Sequence, residues 1–342
     1  MNLHENESLF KQAIQATAQR IGGQGNDMPE IFIEKDYWIT VALRLIFQSE
    51  AAGFAVFKGG TALSKCHRLI ERFSEDIDMV VIKEESDNSN KLKNKLRAIS
   101  KSVEPILPEV EKPGVTNKKG MIRKTVHQYP KAGMPGIYGQ IGEDITIESS
   151  WLGTSEPHVK KTVTSYITEM MEATGQQALI AQYGMFPFEV QVLSKERTFC
   201  EKTMSLVRFS HTENPYDDLS KKIRHVYDLH MMLKDEEIAS FFDNKPFDDM
   251  LILVGNDDVH GFRNNNRWLS HHPAEALIYQ SPAETWDKIR GTYLGSFKDM
   301  VTGTLPAEQD LIKTLNRFTQ RLKDIAWSVK PPPPKTKDRP NA

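Results

Sequence analysis

The feature that most constrains this chain is an apolar run stopped by two glycines. "FAVFKGG" (Phe54–Gly60) reads as a strand entering a turn. Thr61 is placed to N-cap a helix reaching to about Glu71, and "DIDMVVI" (Asp76–Ile82) reads as the next strand. Residues two apart on a strand face the same way, so Asp76 and Asp78 put two carboxylates side by side while Ile77 turns toward the core. Like charges that close repel unless a cation lies between them. Oxygen donors of this kind suit a hard ion; Mg2+ takes one or two carboxylates plus substrate phosphates, and Mn2+ accepts the same donors. Glycines let backbone amides approach phosphate oxygens, and the N-terminus of the following helix attracts anions. One element can therefore hold a triphosphate while the other holds its metal. The spacing is neither a P-loop, since GxxxxGK[ST] is missing, nor a dinucleotide fingerprint, since GxGxxG is absent. Taken singly, a glycine pair is commonly a plain turn and an Asp-x-Asp a solvated edge; their order is what points to chemistry.

The rest of the chain supplies a frame. Residues 7–22 and "IFIEKDYWITVALRLIFQS" (Ile31–Ser49) carry helical apolar spacing, with Trp38, Leu43, Leu45, Ile46 and Phe47 as core candidates in the second. Residues 83–111 are charged and helical in pattern. "DITIESSW" (Asp144–Trp151) and "FEVQVLS" (Phe188–Ser194) read as strands, and everything after Ser194 reads as helices with loops. The expected class is α+β: a mixed-sheet domain over residues 1–195, a mostly helical domain over 196–329, and a disordered Pro-rich tail over 330–342. The 342 residues, 39% hydrophobic and 26% charged, suffice for such a core. The net charge of −2 gives no general attraction to nucleic acid, so any such surface is a local patch. The patch expected is a basic insertion near 112–142. From Pro113 to Gly142 there is no acidic residue, while Lys118, Lys119, Arg123, Lys124 and Lys131 sit near Tyr129 and Tyr138. "RNNNRW" (Arg263–Trp268) is a second such stretch. Cys66 and Cys200 have no framework spacing and are expected to be packed thiols in a reducing compartment. No signal peptide opens the chain and no run of about 18 apolar residues crosses it, so a cytoplasmic location is expected. His271 and His272 lack metal-site partners, which argues against zinc.

The stretch "GGTAL…RFSEDIDM" resembles the glycine and DxD motifs of the DNA polymerase β-like nucleotidyltransferases, and more narrowly those of the AbiEii/AbiGii toxin family. "IEKDYWIT" (Ile33–Thr40) is similar to that family's N-terminal segment, and "ERTFCEKTMSL" carries Lys202 at its third motif. "KIRHVYDLH" carries Asp228 at its fourth motif, with His225 where the family's first aspartate stands. Together these span Ile33 to His230; the last hundred or so residues match nothing recognisable. The gap between glycines and DxD, fifteen residues from Thr61 to Glu75, suits the toxin branch.

The resemblance implies a polymerase β-like core and a metal-dependent transfer of a nucleotide from an NTP, releasing pyrophosphate. It implies an RNA acceptor such as tRNA, and a cognate antitoxin as partner in a toxin–antitoxin or phage-abortive system. Asp76 and Asp78 would bind Mg2+; Glu148, with Asp144 competing, would be the third carboxylate. Gly59, Gly60, Thr61 and Ser74 would hold phosphates, and Lys202 would neutralise them. Asp228 would be an active-site acid or would orient Lys202; read locally, it is a surface partner of Arg224 one turn earlier. Lys35 and Asp36 are expected to pair with each other near the site. Two other classes stay open at this point: a GTP- or ATP-sensing regulator without turnover, and a phosphotransferase acting on a protein or small molecule.

Overall fold

The computed structural model describes residues 2–22, 28–136, 141–262 and 265–331. Strand β1 (Ala55–Lys58) leads into helix α3 (Gly59–Ala62, after α1 Glu7–Gly22 and α2 Glu30–Phe47), and β2 (Ile77–Val81) returns antiparallel to β1. After α4 (Ser89–Val103) come β3 (Glu109–Val110), β4 (Ile122–His127), β5 (Ile145–Ser150) and β6 (His158–Val163). Helices α5 (Tyr166–Ala173) and α6 (Gln177–Gln182) precede β7 (Phe188–Leu193). The strands form one mixed sheet in the order β3-β4-β5-β2-β1-β7-β6, with β1–β7 and β2–β5 parallel and the other pairs antiparallel. The α+β class and the mixed sheet read from the sequence are what the chain adopts.

The helical half runs α7 (Lys195–Ser210), α8 (Pro215–Lys221), α9 (Ile223–Met232), α10 (Glu236–Asp243) and α11 (Lys245–Gly261). It ends with α12 (Leu277–Gln280), α13 (Pro282–Thr292) and α14 (Glu308–Lys323). Ser194 caps α7 by accepting the Arg197 N–H at 3.2 Å.

The central strands separate two environments. Phe57, Ile77, Met79, Val81, Ile145 and Ile147 pack with α1, α2, α4 and α5 in one apolar cluster. Val56, Val80 and Leu193 form a small cluster on the opposite face. The period of two places Lys58 with Val56 and Asp78 with Val80, so both charges lie on the face away from the N-terminal helices. A second large cluster fills the helical half, and Leu63 and Ile70 of the glycine–DxD connection belong to it.

Several local expectations change. Thr61 lies inside α3; Lys58 occupies the cap position and caps with no side chain. The helix continues as a wide turn over Leu63–His67 and stops at Arg68, whose φ of 54° is left-handed, well short of Glu71. The acid-free stretch contains β4, an integral strand, rather than a free insertion. Tyr129 is buried and stacked on Trp38, with centroids 5.6 Å apart, so it offers no face to a base; Tyr138 lies outside the described residues. Trp268 is likewise core, its indole N–H donating to the Asn265 carbonyl at 3.1 Å; Arg263 lies outside the described residues, as do residues 332–342 of the tail. Helix α2 is buried around most of its girth, taking in three consecutive charges: Glu34, Lys35 and Asp36 are 1%, 0% and 3% exposed.

Candidate active site

The glycine turn and the DxD meet edge to edge. Gly59 has φ +82°, and a Cβ there would lie 2.2 Å from Asp78 Oδ2. A Cβ on Gly60 would lie 2.8 Å from both the Ser74 hydroxyl and the Arg72 guanidinium. Both glycines are therefore demanded by close approach, the first by its backbone as well. Thr61, with no capping role, donates to the Asp76 carbonyl (2.6 Å) and accepts from the Ser74 hydroxyl (3.0 Å), tying the glycine helix to the start of the DxD strand.

Strand register turns the carboxylates into a row. Lys58 pairs across from Asp78, Asp78 from Glu148, and Glu148 from Lys124, on four adjacent strands. Directly opposed residues have Cβ atoms about 5 Å apart. Two acids thus sit side by side between two lysines. Lys124 reaches Glu148 at 3.2 Å, whereas Lys58 turns to Glu201 of α7 at 2.7 Å. Burial, then the neighbouring Asp76 and Glu148 charges, push the Asp78 carboxyl up to about 6. Asp144, the competitor for the third carboxylate, precedes β5 and is held by Lys112 at 3.2 Å. Among the described residues no three His, Cys, Asp or Glu side chains converge to enclose an ion. The set fits a metal that takes Asp76 and Asp78 and completes its shell from substrate and water.

Asp78, Gly59 and Glu148 open onto a cavity of about 440 Å³ whose far wall is α7, α9 and α11. Asp76 and Ser74 line an adjoining cleft of about 210 Å³ with Arg224. Lys202, Lys222 and Arg208 face the larger cavity. Of these cations, Lys222, Arg224 and Arg208 form no ion pair among the described residues. Burial, then Arg224, Arg208 and Lys202, lower Lys222 to about 8. The Arg208 guanidinium lies over the Phe262 ring at 4.2 Å. Asp258, in the same wall, is pushed up to about 7 by burial and by Glu201.

Lys202 and Asp228 do come together. Asp228 is wholly buried; its Oδ2 accepts Lys202 Nζ at 2.7 Å, and Arg72 binds both oxygens, Nε to Oδ1 at 2.7 Å and NH2 to Oδ2 at 2.8 Å. Burial opposes the Asp228 charge, but Arg72 and Lys202 outweigh it and hold the carboxyl well below the usual range. The locally expected Arg224 partner is replaced by these two, because Asp228 faces the α7 side while Arg224 faces the DxD cleft. Arg72 is the residue that sequence reasoning missed: it lies in an irregular segment, where no periodicity marks it. His225 lines the cavity with its Nδ1 buried and unpartnered, and burial beside Lys202 and Arg224 keeps the ring neutral. Lys35 and Asp36 do not pair with each other: Lys35 binds Glu75 and the Gly142 carbonyl, while Asp36 binds Lys65. Cys66 and Cys200 are buried thiols; burial pushes Cys66 up to about 12.

The glycine helix thus abuts a DxD whose first aspartate precedes β2 and whose second lies on it, opposite cations that form no ion pair among the described residues. A family model described as "Nucleotidyl transferase AbiEii toxin, Type IV TA system" matches residues 42–318, and the chain belongs to this family of nucleotidyltransferase toxins. The match sets aside the two other classes left open by the sequence. A search of curated protein sequences returned no match. Among solved structures, MenT4, a nucleotidyltransferase toxin from Mycobacterium tuberculosis, is similar in fold, with a TM-score of 0.54 at 18% identity over 91% of this chain and 90% of that one. No described helix is long and apolar enough to cross a membrane.

Proposed function

We propose that this enzyme transfers a nucleotide from an NTP to an RNA acceptor such as tRNA, in a Mg2+-dependent reaction, as the toxin of a pair whose partner is a cognate antitoxin. The observation that carries the reading is the convergence of Asp76 and Asp78 with Lys202, Lys222, Arg208 and Arg224. Three of these cations form no ion pair among the described residues, and a triphosphate would supply one. Asp76 and Asp78 would hold the divalent ion, Mg2+ or Mn2+, with Glu148 beside them. The ion would screen phosphate charge and polarise the α-phosphate.

The chain's own groups do the rest. Gly59, Gly60 and Thr61 bring amides and Ser74 brings its hydroxyl toward the β- and γ-phosphates. Lys202, held by Asp228, and the free cations offset charge developing on the leaving pyrophosphate. The acceptor hydroxyl would attack the α-phosphorus in line, the bond to the bridging oxygen would break with pyrophosphate leaving, and Glu148 would take the hydroxyl proton. Residues 1–195 form the catalytic unit in this reading, and 196–329 supply the opposing wall. NTP and RNA substrates place the reaction in the cytoplasm, where a phage-abortive role would be exerted.

The direct test incubates the protein with total RNA, Mg2+ and each α-32P-labelled NTP in turn, beside Asp76→Ala. Label in an RNA band, absent with the variant, is expected. Label in protein or small molecules alone would overturn the RNA acceptor.

A further inference from the structure

The Lys35–Asp36 dipeptide lies outside the family match and lines neither of the two cavities described above, yet both charges are buried in α2. Successive residues on a helix diverge by about 100°, so the two side chains leave α2 in different directions. Lys35 reaches the arm that carries the DxD: it donates to the Glu75 carboxylate, immediately before Asp76, and to the Gly142 carbonyl. Glu75 is held from the other side as well, accepting the Gly142 N–H at 3.0 Å. Asp36 reaches the arm that carries the glycines: one oxygen accepts Lys65, on the turn that extends α3, and the other accepts the Tyr166 N–H at 2.9 Å. In both pairs the lysine ammonium lies within the protein; the side chains of Lys35, Lys65 and Asp36 are 0%, 6% and 4% exposed.

Buried ion pairs are poor sources of stability, because desolvation offsets their attraction. Two of them, on adjacent residues of one helix and aimed at the two halves of one site, hold geometry instead. We infer that Lys35 and Asp36 are positioning residues: a two-armed brace from α2 that sets the separation between the glycine turn and the DxD, and so between the phosphates and the metal carboxylates. This rests on the site reading given above. The Lys35 arm governs the metal side, through Asp76; the Asp36 arm governs the phosphate side, through α3. A displacement of about 1 Å at such a site lowers turnover about 100-fold.

The test compares the full-length wild type, Asp78→Ala, the double variant Lys35→Met/Glu75→Gln and the double variant Asp36→Asn/Lys65→Met. Each double removes both charges of one arm, leaving none stranded. Three quantities are read: NTP affinity in EDTA, Mn2+ bound to the protein–NTP complex by electron paramagnetic resonance, and kcat and KM for label transfer. For Lys35→Met/Glu75→Gln the expected result is unchanged NTP affinity in EDTA, a roughly 10-fold rise in the Mn2+ concentration needed, and a 10- to 100-fold fall in kcat with KM little changed. For Asp36→Asn/Lys65→Met the loss should appear in NTP affinity in EDTA. Wild-type values for all three quantities in either double variant overturn the brace. Should a double variant fail to fold, Lys35→Arg, which keeps the charge but alters its reach, decides the matter on the same readouts: raised Mn2+ demand supports the brace and wild-type behaviour overturns it. If the wild type itself binds no Mn2+ with NTP, or Asp78→Ala binds it equally well, the site reading fails, not the brace.

Discussion

Two clusters of charge lie on either side of the glycine turn, and they are built on opposite principles. In the Arg72–Asp228–Lys202 cluster every carboxylate oxygen is claimed, and the acid is depressed by its two cations. In the row through Asp78 and Glu148 two acids adjoin, the carboxyl of one is raised, and across the cavity Lys222 and Arg208 form no ion pair among the described residues. The first cluster is complete as it stands; the second is completed by what binds. A compensated cluster should govern folding and an uncompensated one turnover, and substitutions can separate the two.

The largest effect is expected at Asp78. Asp78→Ala should lower label transfer about 1,000-fold or more, while its melting temperature in EDTA stays at or above that of the wild type, because a half-buried like-charge contact is removed. A clear drop in melting temperature would break the comparison. Asp228→Asn should show the reverse emphasis, losing about 3–5 kcal/mol of stability in urea titrations because Arg72 and Lys202 are left buried against a neutral partner. Stability within 1 kcal/mol of wild type would mean the cluster is not structural.

Next in size are the free cations. Lys222→Met and Arg224→Met should each weaken NTP binding about 10-fold, the scale of one charge-assisted hydrogen bond, with little change in melting temperature. Equal binding in both would move the triphosphate elsewhere. A subtler signature is pH. An unfolded aspartate titrates near ~3.9 and folded Asp228 lower, so between those values the unfolded chain holds more protons. The contribution of Asp228 is therefore complete above the unfolded pKa and fades as pH falls toward the folded one. Urea midpoints of the wild type should fall more steeply with acid than those of Asp228→Asn; parallel curves would contradict the depressed carboxyl. Smallest of all should be Lys119→Ala. Its neighbours Lys118, Arg123 and Lys124 are already paired with Glu109 and Glu148, so the basic stretch carries less free charge than its composition suggests. RNA binding should change less than about 2-fold; a larger loss would restore that stretch as an acceptor surface.

Much of the frame was legible because it depends on local periodicity. Helices α1, α2, α4 and α7 announce themselves through apolar spacing, and β1, β2, β5 and β7 through short apolar or alternating runs. β4 was not legible: three of its six residues, Arg123, Lys124 and His127, are charged or titratable, so its pattern resembled a solvated loop. The early end of the glycine helix was equally hidden, since nothing local forbids helix before Arg68.

The order strand, glycine pair, helix, DxD was determined by the sequence alone, because backbone freedom at glycine and two-residue alternation act over a few residues. Lys202 and Asp228 were singled out by the family resemblance rather than by spacing, and the fold brings the two together. Only the tertiary structure decided which acid stands beside Asp78, since register sets Glu148 opposite it. It also gave Asp228 to Arg72 rather than Arg224, and Lys35 to Glu75 rather than Asp36. These pairs join residues far apart in the chain, and a buried charge takes the partner that packing brings within reach, whatever lies next to it in sequence.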